Sequence, residues 1–280
     1  MKLCAVYCKD AELELYVSRL EEMLGDSDFE FVRLSKDLPS FEGLLLPLEV
    51  MCQSRIRTKD CERILRFVRR AESLSLRSPK IYIGDELKLP SPLKRIINAL
   101  TPFKELLNVK ELGVPTVKTT NRGDAVLITA YEATSEGEVR DLAKLIINLI
   151  KEENELWLIS PYRLSDEFKM SIKSLVFKSI GSTSKLKIAD SIKDIKPYLR
   201  RASKCFYPYL KARPALFLHD CISSGIETIG PVGSSMERFF NRTYTIRESL
   251  RLSQFRELSV SYLYDVDKIV TNLETFLRIG

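Results

Sequence analysis

Residues 125–160 read AVLITAYEATSEGEVRDLAKLIINLIKEENELWLIS, and this stretch carries the clearest secondary-structure signals in the chain. An apolar run over 125–131 predicts a strand. Ser135, followed three residues later by Glu138, forms a capping-box pattern and predicts the start of a helix with one apolar face. A second apolar run over 156–160 predicts another strand. The stretch therefore indicates an α/β protein.

Strand and helix signals also alternate in the first third of the chain. Strands are predicted at 2–8, 29–34, 44–50 and 80–83, and helices at 11–24, 59–71 and 93–107. Turn residues then dominate 113–124. We therefore expect an N-terminal α/β domain at 1–112, a linker at 113–124 and a second domain at 125–280.

Further helix and strand signals follow in the rest of the second domain. Helices are predicted at 166–179, 192–202 and 236–240, a strand at 215–218, and a last helix that begins after Asp265. Segments 242–247 and 254–264 are predicted to pair as antiparallel strands. The expected fold class is thus α/β in the first domain and α+β in the second.

Composition indicates an ordered protein without a membrane span. Of the 280 residues, 45% are hydrophobic and 29% are charged, which is enough apolar surface to build cores. No apolar run reaches the roughly 18 residues that a spanning helix needs. The N-terminus has no long apolar segment of the kind found in signal peptides. We expect a cytoplasmic protein, and scarce Gln beside abundant Lys, Arg, Glu and Ile is typical of thermophiles.

The positive charge allows an anionic partner. The formal net charge is +6. Basic residues that we predict to contact RNA fall into two groups: Arg63, Arg66 and Arg70 on the helix at 59–71, and Lys196, Arg200, Arg201, Lys204, Lys211 and Arg213. The second group is interleaved with aromatic residues, which suits single-stranded RNA. The alternative is that both groups are solvated surfaces over ordinary cores.

Residues 241–260, NRTYTIRESLRLSQFRELSV, resemble motif 2 of class II aminoacyl-tRNA synthetases. The similarity is closest to the atypical seryl-tRNA synthetases and to the amino acid:carrier-protein ligases. The resemblance implies a nucleotide site in which Arg242 pairs with the α-phosphate of ATP, with Mg²⁺ as a companion. Arg251 would approach the triphosphate or the end of a tRNA. The alternative is an ordinary β-hairpin with exposed basic residues.

The resemblance is incomplete. That branch binds zinc through cysteine and glutamate ligands, and Cys221 stands near one ligand position. Tyr244 and Ser259 occupy the positions where the family has glutamates, so the resemblance argues against zinc. Residues up to Gly280 contain no counterpart of motif 3. The resemblance therefore implies a partial synthetase fold with a mainly antiparallel sheet.

These observations predict an RNA-binding, tRNA-directed protein or accessory subunit that does not adenylate alone. We expect it to work with a protein partner or as a homodimer. One alternative is an amino-acid-activating ligase completed by a partner chain. Another is an unrelated Rossmann-like nucleotide-sensing or nuclease module, which predicts a parallel sheet that continues from Lys2 to Ser160.

Overall fold

In the computed structural model the chain forms two compact units, residues 1–115 together with 262–280, and residues 116–261. The division at 115 falls inside the predicted linker, and the C-terminal residues group with the first unit. The structure describes residues 3–7, 11–25, 29–33, 81–82, 106–107, 114–120, 123–131, 135–210, 215–234, 236–246 and 249–271.

The first unit contains short parallel strand pairs. Strand β1 (Leu3–Tyr7) pairs in parallel with β2 (Phe29–Arg33), and helix α1 (Ala11–Leu24) lies between them in sequence. Strands β3 (Ile81–Tyr82) and β4 (Leu106–Leu107) form a second parallel pair. Residues 106–107 had been expected to end a helix. The strand predicted at 44–50 and the helix predicted at 59–71 lie outside the described residues.

The second unit is built on one seven-stranded sheet. Its strands are β5 (Ala125–Thr129), β6 (Leu156–Ile159), β7 (Leu186–Ala189), β8 (Ala202–Phe206), β9 (Glu227–Pro231), β10 (Arg242–Ile246) and β11 (Leu250–Leu252). Its described α-helices are α2 (Glu136–Glu152), α3 (Asp166–Ile180), α4 (Lys196–Leu199) and α5 (Leu216–Ser223).

The sheet is mostly parallel, which corrects the expectation of a mainly antiparallel one. The strand order is β11-β10-β9-β8-β5-β6-β7, and every neighbouring pair from β10 to β7 is parallel. Only the β10–β11 pair at the edge of this sheet is antiparallel. The parallel order is the one expected of a Rossmann-like module, although β1 and β2 pair in a separate sheet.

Helices α2 and α3 cover one face of the sheet. The apolar side of α2 is buried as its sequence predicts, at Leu142, Leu145, Ile146, Leu149 and Ile150. These side chains pack with Val126 and Ile128 of β5 and with Leu156 and Leu158 of β6. Strand–helix–strand packing of this kind removes both apolar surfaces from water and holds β5 and β6 parallel.

The second unit also departs from several of the predicted elements. The helix predicted at 192–202 is only the short α4, and β8 begins at Ala202. Residues 215–218 were predicted to be a strand, but α5 begins there, and Leu216, Phe217 and Leu218 are all buried. A short apolar run does not distinguish a buried helix from a strand. The antiparallel partner of β10 is the strand at 250–252, not the segment 254–264 that was predicted.

The described helices include none that is both long enough and apolar enough to cross a membrane.

Candidate functional site

The strand order of the second unit reverses between β5 and β8. From β5 the chain builds outward through β6 and β7, and it then returns to place β8 on the other side of β5. The connections that leave β5 and β8 therefore diverge at the carboxyl ends of these strands. In open parallel α/β sheets, ligands bind in the crevice that opens at such a switch point. We call this position the switch-point crevice.

Two tyrosines join the two sides of the switch-point crevice. Tyr131 follows β5, and Tyr209 follows β8. The Tyr209 hydroxyl accepts a hydrogen bond from the Tyr131 N–H at 2.7 Å and donates one to the Tyr131 carbonyl at 3.1 Å. Both residues are buried. The loops after β5 and β8 are thus fixed to each other through one side chain.

Aromatic rings continue on both sides of this contact. Neighbouring ring centroids are 5.4–5.8 Å apart through the series Tyr162, Tyr131, Tyr209, Tyr207 and Phe240. We call these five residues the aromatic row. Most neighbours in the row meet edge-on or tilted, which are favourable geometries for aromatic pairs. Four members of the row follow the carboxyl ends of β5, β6 and β8, and Phe240 precedes β10.

The loop after β9 is tied to the same region. The Ser234 hydroxyl donates to the Tyr209 carbonyl at 2.9 Å, and it accepts from the Met236 N–H at 3.2 Å. Gly233 has φ 78°, a left-handed conformation that favours glycine, and its N–H donates to Glu237 Oε2 at 3.1 Å. The Gly233 N–H is therefore bonded inside the turn.

In the second unit, three described helices of eight residues or more, α2, α3 and α5, are each the next helix after a parallel strand, and their N-termini differ. Ser135 caps α2 and Ser165 caps α3, each by accepting a backbone N–H, and both first turns carry two acidic residues. The first turn of α5 reads LFLH and contains no acid. Among the described residues, no side chain caps α5 at Ala215. Since a helix N-terminus favours negative charge, α5 is the one of the three best suited to a bound anion.

Asp190, which follows β7, is bonded to a backbone N–H and to a lysine of the protein. The Asp190 carboxylate accepts a hydrogen bond from the Leu164 N–H at 3.1 Å and forms an ion pair with Lys169 at 2.6 Å. Partial burial favours the neutral acid, but these two donors outweigh it, so the pKa of Asp190 is lowered. Asp190 thereby anchors the loops after β6 and β7 to each other.

The arginines predicted to bind a nucleotide lie away from the switch-point crevice. Arg242 begins β10, at the amino-terminal edge of the sheet, and its guanidinium forms an ion pair with Glu227 at 2.7 Å. Arg251 is exposed on β11 and pairs with Thr245. Three residues separate Arg242 from Thr245, or about 10 Å along a strand. The structure does not bring the two arginines together.

The predicted basic groups are only partly within the described residues. Arg63, Arg66, Arg70, Lys211 and Arg213 lie outside them. Arg200 and Arg201 are exposed and directly precede β8, at the end of the strand opposite the switch-point crevice. Lys204 forms an ion pair with Glu153 at 2.6 Å. Lys196 is exposed at the start of α4.

Two other residues of α5 are buried in the protein. Cys221 is fully buried, and burial together with a hydrogen bond to Cys205 raises the pKa of its thiol. The part of the chain that the structure describes contains no group of three potential His, Cys, Asp or Glu metal ligands. Asp220 accepts the Val117 N–H at 2.9 Å, while the ring of neighbouring His219 packs edge-on against Phe239.

Sequence reasoning missed the residues that shape the switch-point crevice. Tyr131 was assigned to a strand end, and Tyr209 was counted only as an aromatic neighbour of basic residues. Their contact joins positions 78 residues apart, and no local pattern reports such a contact. The available signal was the strand–helix–strand pattern of 125–160, which is typical of parallel sheets.

No protein-family model matches the sequence, and no curated protein matches it either. Solved structures do resemble it. One is S. aureus MnaA with UDP, at 11% identity and a TM-score of 0.50, covering 99% of this chain and 90% of that one. Another is Anabaena Alr3699/HepE in complex with UDP and glucose, at 9% identity and a TM-score of 0.51, covering 97% and 90%.

These similarities establish the fold and correct the family prediction. The fold is α/β, of the Rossmann-like, GT-B type, with a mostly parallel sheet. The class II synthetase resemblance is therefore wrong, and so is the RNA-binding function inferred from it. In the structure, the segment that suggested motif 2 forms β10, which is parallel to β9, and the short edge strand β11. ATP, Mg²⁺ and a protein partner stay untested predictions.

Proposed function

We propose that the second unit binds a nucleoside diphosphate of the UDP type, carried as a sugar nucleotide, and that the protein acts in carbohydrate processing. The observation that carries the proposal is the switch-point crevice between β5 and β8. Its position follows from the strand order, and α5 is the next helix after β8, with an N-terminus suited to an anion.

The diphosphate is assigned to the N-terminus of α5. The first N–H groups of a helix have no partner within the helix and carry a partial positive charge. In α2 and α3 a serine and two acids already occupy this position, and those carboxylates would repel a phosphate. A phosphate at α5 would meet neither obstacle.

The sugar-nucleotide class is supported by the fold. The two similar structures contain UDP, and one of them also contains glucose. Identities of 9% and 11% carry over no individual residue. The class of ligand is therefore proposed from the shared fold together with the geometry of this chain's own switch-point crevice.

A charge placed at Ala215 tests the proposal. Ala215→Asp would supply a capping carboxylate and would put that charge, at a position only 7% exposed, where the diphosphate is expected. Like charges about 5 Å apart repel by on the order of 3 kcal/mol at an effective dielectric constant of about 20. We expect the Kd for UDP, measured by titration calorimetry, to rise about tenfold or more.

Two variants serve as controls. Ala215→Asn introduces a capping side chain of the same shape without the charge, so its Kd should rise less than that of Ala215→Asp. Ser165→Asp places the same charge at the N-terminus of α3 and should leave the Kd within about twofold, since α3 is not the assigned site. Absence of UDP binding by the unmodified protein, or equal losses in Ala215→Asp and Ser165→Asp, would refute the assignment.

A further inference from the structure

We infer that Tyr209 is a positioning residue, whose hydroxyl holds the loop after β5 in the arrangement that receives the nucleotide. The inference rests on the proposed function, because it gives Tyr209 a part in shaping the site assigned above. Tyr209 acts through the backbone of Tyr131 and is not assigned a contact with the ligand.

The point where β5 and β8 separate shows why a side chain is needed. The paired register of the two strands ends at Ile128 and Phe206. Beyond it, the Ala130 N–H donates to the Ile159 carbonyl of β6 at 2.7 Å. The next residue, Tyr131, has both its N–H and its carbonyl bonded to the Tyr209 hydroxyl. The Tyr209 hydroxyl therefore makes two backbone hydrogen bonds of the kind that a neighbouring strand would make, at a point where β8 no longer pairs with β5.

Tyr209 is itself held in place. Its carbonyl accepts the Ser234 hydroxyl at 2.9 Å, and its ring meets those of Tyr131 and Tyr207 with centroids 5.5 and 5.4 Å away. The residue is only 5% exposed. Its hydroxyl has little freedom to move without displacing one of the loops, so it transmits the position of the β8 loop to the β5 loop.

Removal of the hydroxyl should loosen the β5 loop selectively. Tyr209→Phe keeps the ring and its packing but leaves a buried N–H and a buried carbonyl of Tyr131 without this partner. Such a loss favours local opening. We expect hydrogen exchange of the Tyr131 amide, followed by NMR, to accelerate about tenfold or more. The Kd for UDP should rise about fivefold to tenfold, because the arrangement competent to bind is less populated.

Tyr244→Phe is the matched control. Tyr244 is also buried in this sheet, and its ring lies 6.0 Å from that of Phe206, within the core beneath α2 and α3. Its loss of a hydroxyl should leave both the Tyr131 exchange rate and the UDP Kd within about twofold of the original values. Thermal unfolding of both variants reports any general loss of stability.

The outcomes separate this inference from the proposed function. A purely structural role would lower the unfolding temperature of Tyr209→Phe and leave the Kd of the folded protein unchanged, which overturns the inference alone. Unchanged Tyr131 exchange overturns it as well. Failure of the unmodified protein to bind UDP overturns the proposed function, and the positioning role with it.

A measurement on the unmodified protein guards against a variant that does not fold. UDP binding should favour the arrangement of the β5 loop in which Tyr209 bonds to Tyr131. Saturating UDP should therefore slow the exchange of the Tyr131 amide. Binding of UDP without any slowing at Tyr131 would overturn the positioning role.

Discussion

At the scale of single residues, Gly230 leaves the space that the aromatic row needs. A Cβ atom at this position would overlap the ring of Phe240, which is fully buried. Gly230→Ala should therefore destabilise the protein by about 1–3 kcal/mol, the usual cost of overpacking a core. Denaturant unfolding measures this change in the free energy of unfolding.

Gly137→Ala is the companion substitution. Gly137 lies in the exposed first turn of α2, where a Cβ would have only an ordinary contact with the Ser135 hydroxyl at 3.7 Å. Alanine is the better helix former, so this variant should be neutral or more stable by up to about 1 kcal/mol. Equal destabilisation by the two substitutions would contradict the steric account of Gly230.

His219, the one histidine in the sequence, should make stability depend on pH. Burial, with the nearby Arg238 charge, lowers its pKa from 6.5 to about 4. Between these values the unfolded chain binds a proton that the folded protein does not. The stability that depends on neutral His219 is therefore fully present above about pH 6.5 and is lost as the pH drops towards 4. The free energy of unfolding should fall by about 2 kcal/mol between pH 7 and pH 5.

His219→Gln should reduce this loss. Urea unfolding at pH 7 and pH 5 measures the free energy of unfolding of both proteins. Both pH values lie above the range in which most carboxylates titrate. The original protein should lose more stability than the variant. An identical loss in both would mean that His219 is not the residue responsible.

At the scale of elements, α5 holds the chain segment that enters the second unit. The Asp220 carboxylate accepts the Val117 N–H, and Ser224 Oγ accepts the Thr119 N–H at 3.2 Å. Asp220→Ala should cost about 1–3 kcal/mol of unfolding free energy, because it removes the acceptor of the Val117 N–H. Asp220→Asn keeps an acceptor oxygen and should cost less. The account fails if the asparagine variant is as unstable as the alanine variant in chemical unfolding.

The elements also show which parts of the fold could be predicted from the sequence. Helix α2 was predicted from its Ser135 cap and its apolar face, and the structure confirms both, with the Glu138 N–H 3.3 Å from Ser135 Oγ. Both signals are local. Strands β7, β8 and β9 were missed because none is a continuous apolar run like β5 or β6, and none alternates clearly between apolar and polar residues.

Strand direction was the larger source of error. Arg242 and Arg251 suggested a hairpin, and the β10–β11 hairpin exists. It is a single antiparallel pair at the edge of a parallel sheet. The direction of each remaining strand is set by its crossover connection, which involves residues far apart in sequence. Tyr131 and Tyr209 could not be predicted to meet for the same reason.

At the scale of the whole molecule, the order of the parallel strands places a switch point at one edge of the second unit, where we propose that the ligand binds. The loops after β5, β8 and β9 are joined there through Tyr131, Tyr209 and Ser234. The arginines that the sequence suggested begin or flank strands elsewhere, and Arg242 already has an acidic partner in Glu227. We therefore expect nucleotide binding at the carboxyl edge of the seven-stranded sheet and none at Arg242 or Arg251.

Residue-resolved hydrogen exchange with and without saturating UDP shows whether the nucleotide binds at the carboxyl edge of the sheet. The account predicts slower exchange of backbone amides that follow β5 and β8, including Tyr131, Tyr209 and the first turn of α5. Exchange around Arg242 and Arg251 should be unchanged. Protection centred on those two arginines, or the same exchange with and without UDP throughout the second unit, would contradict it.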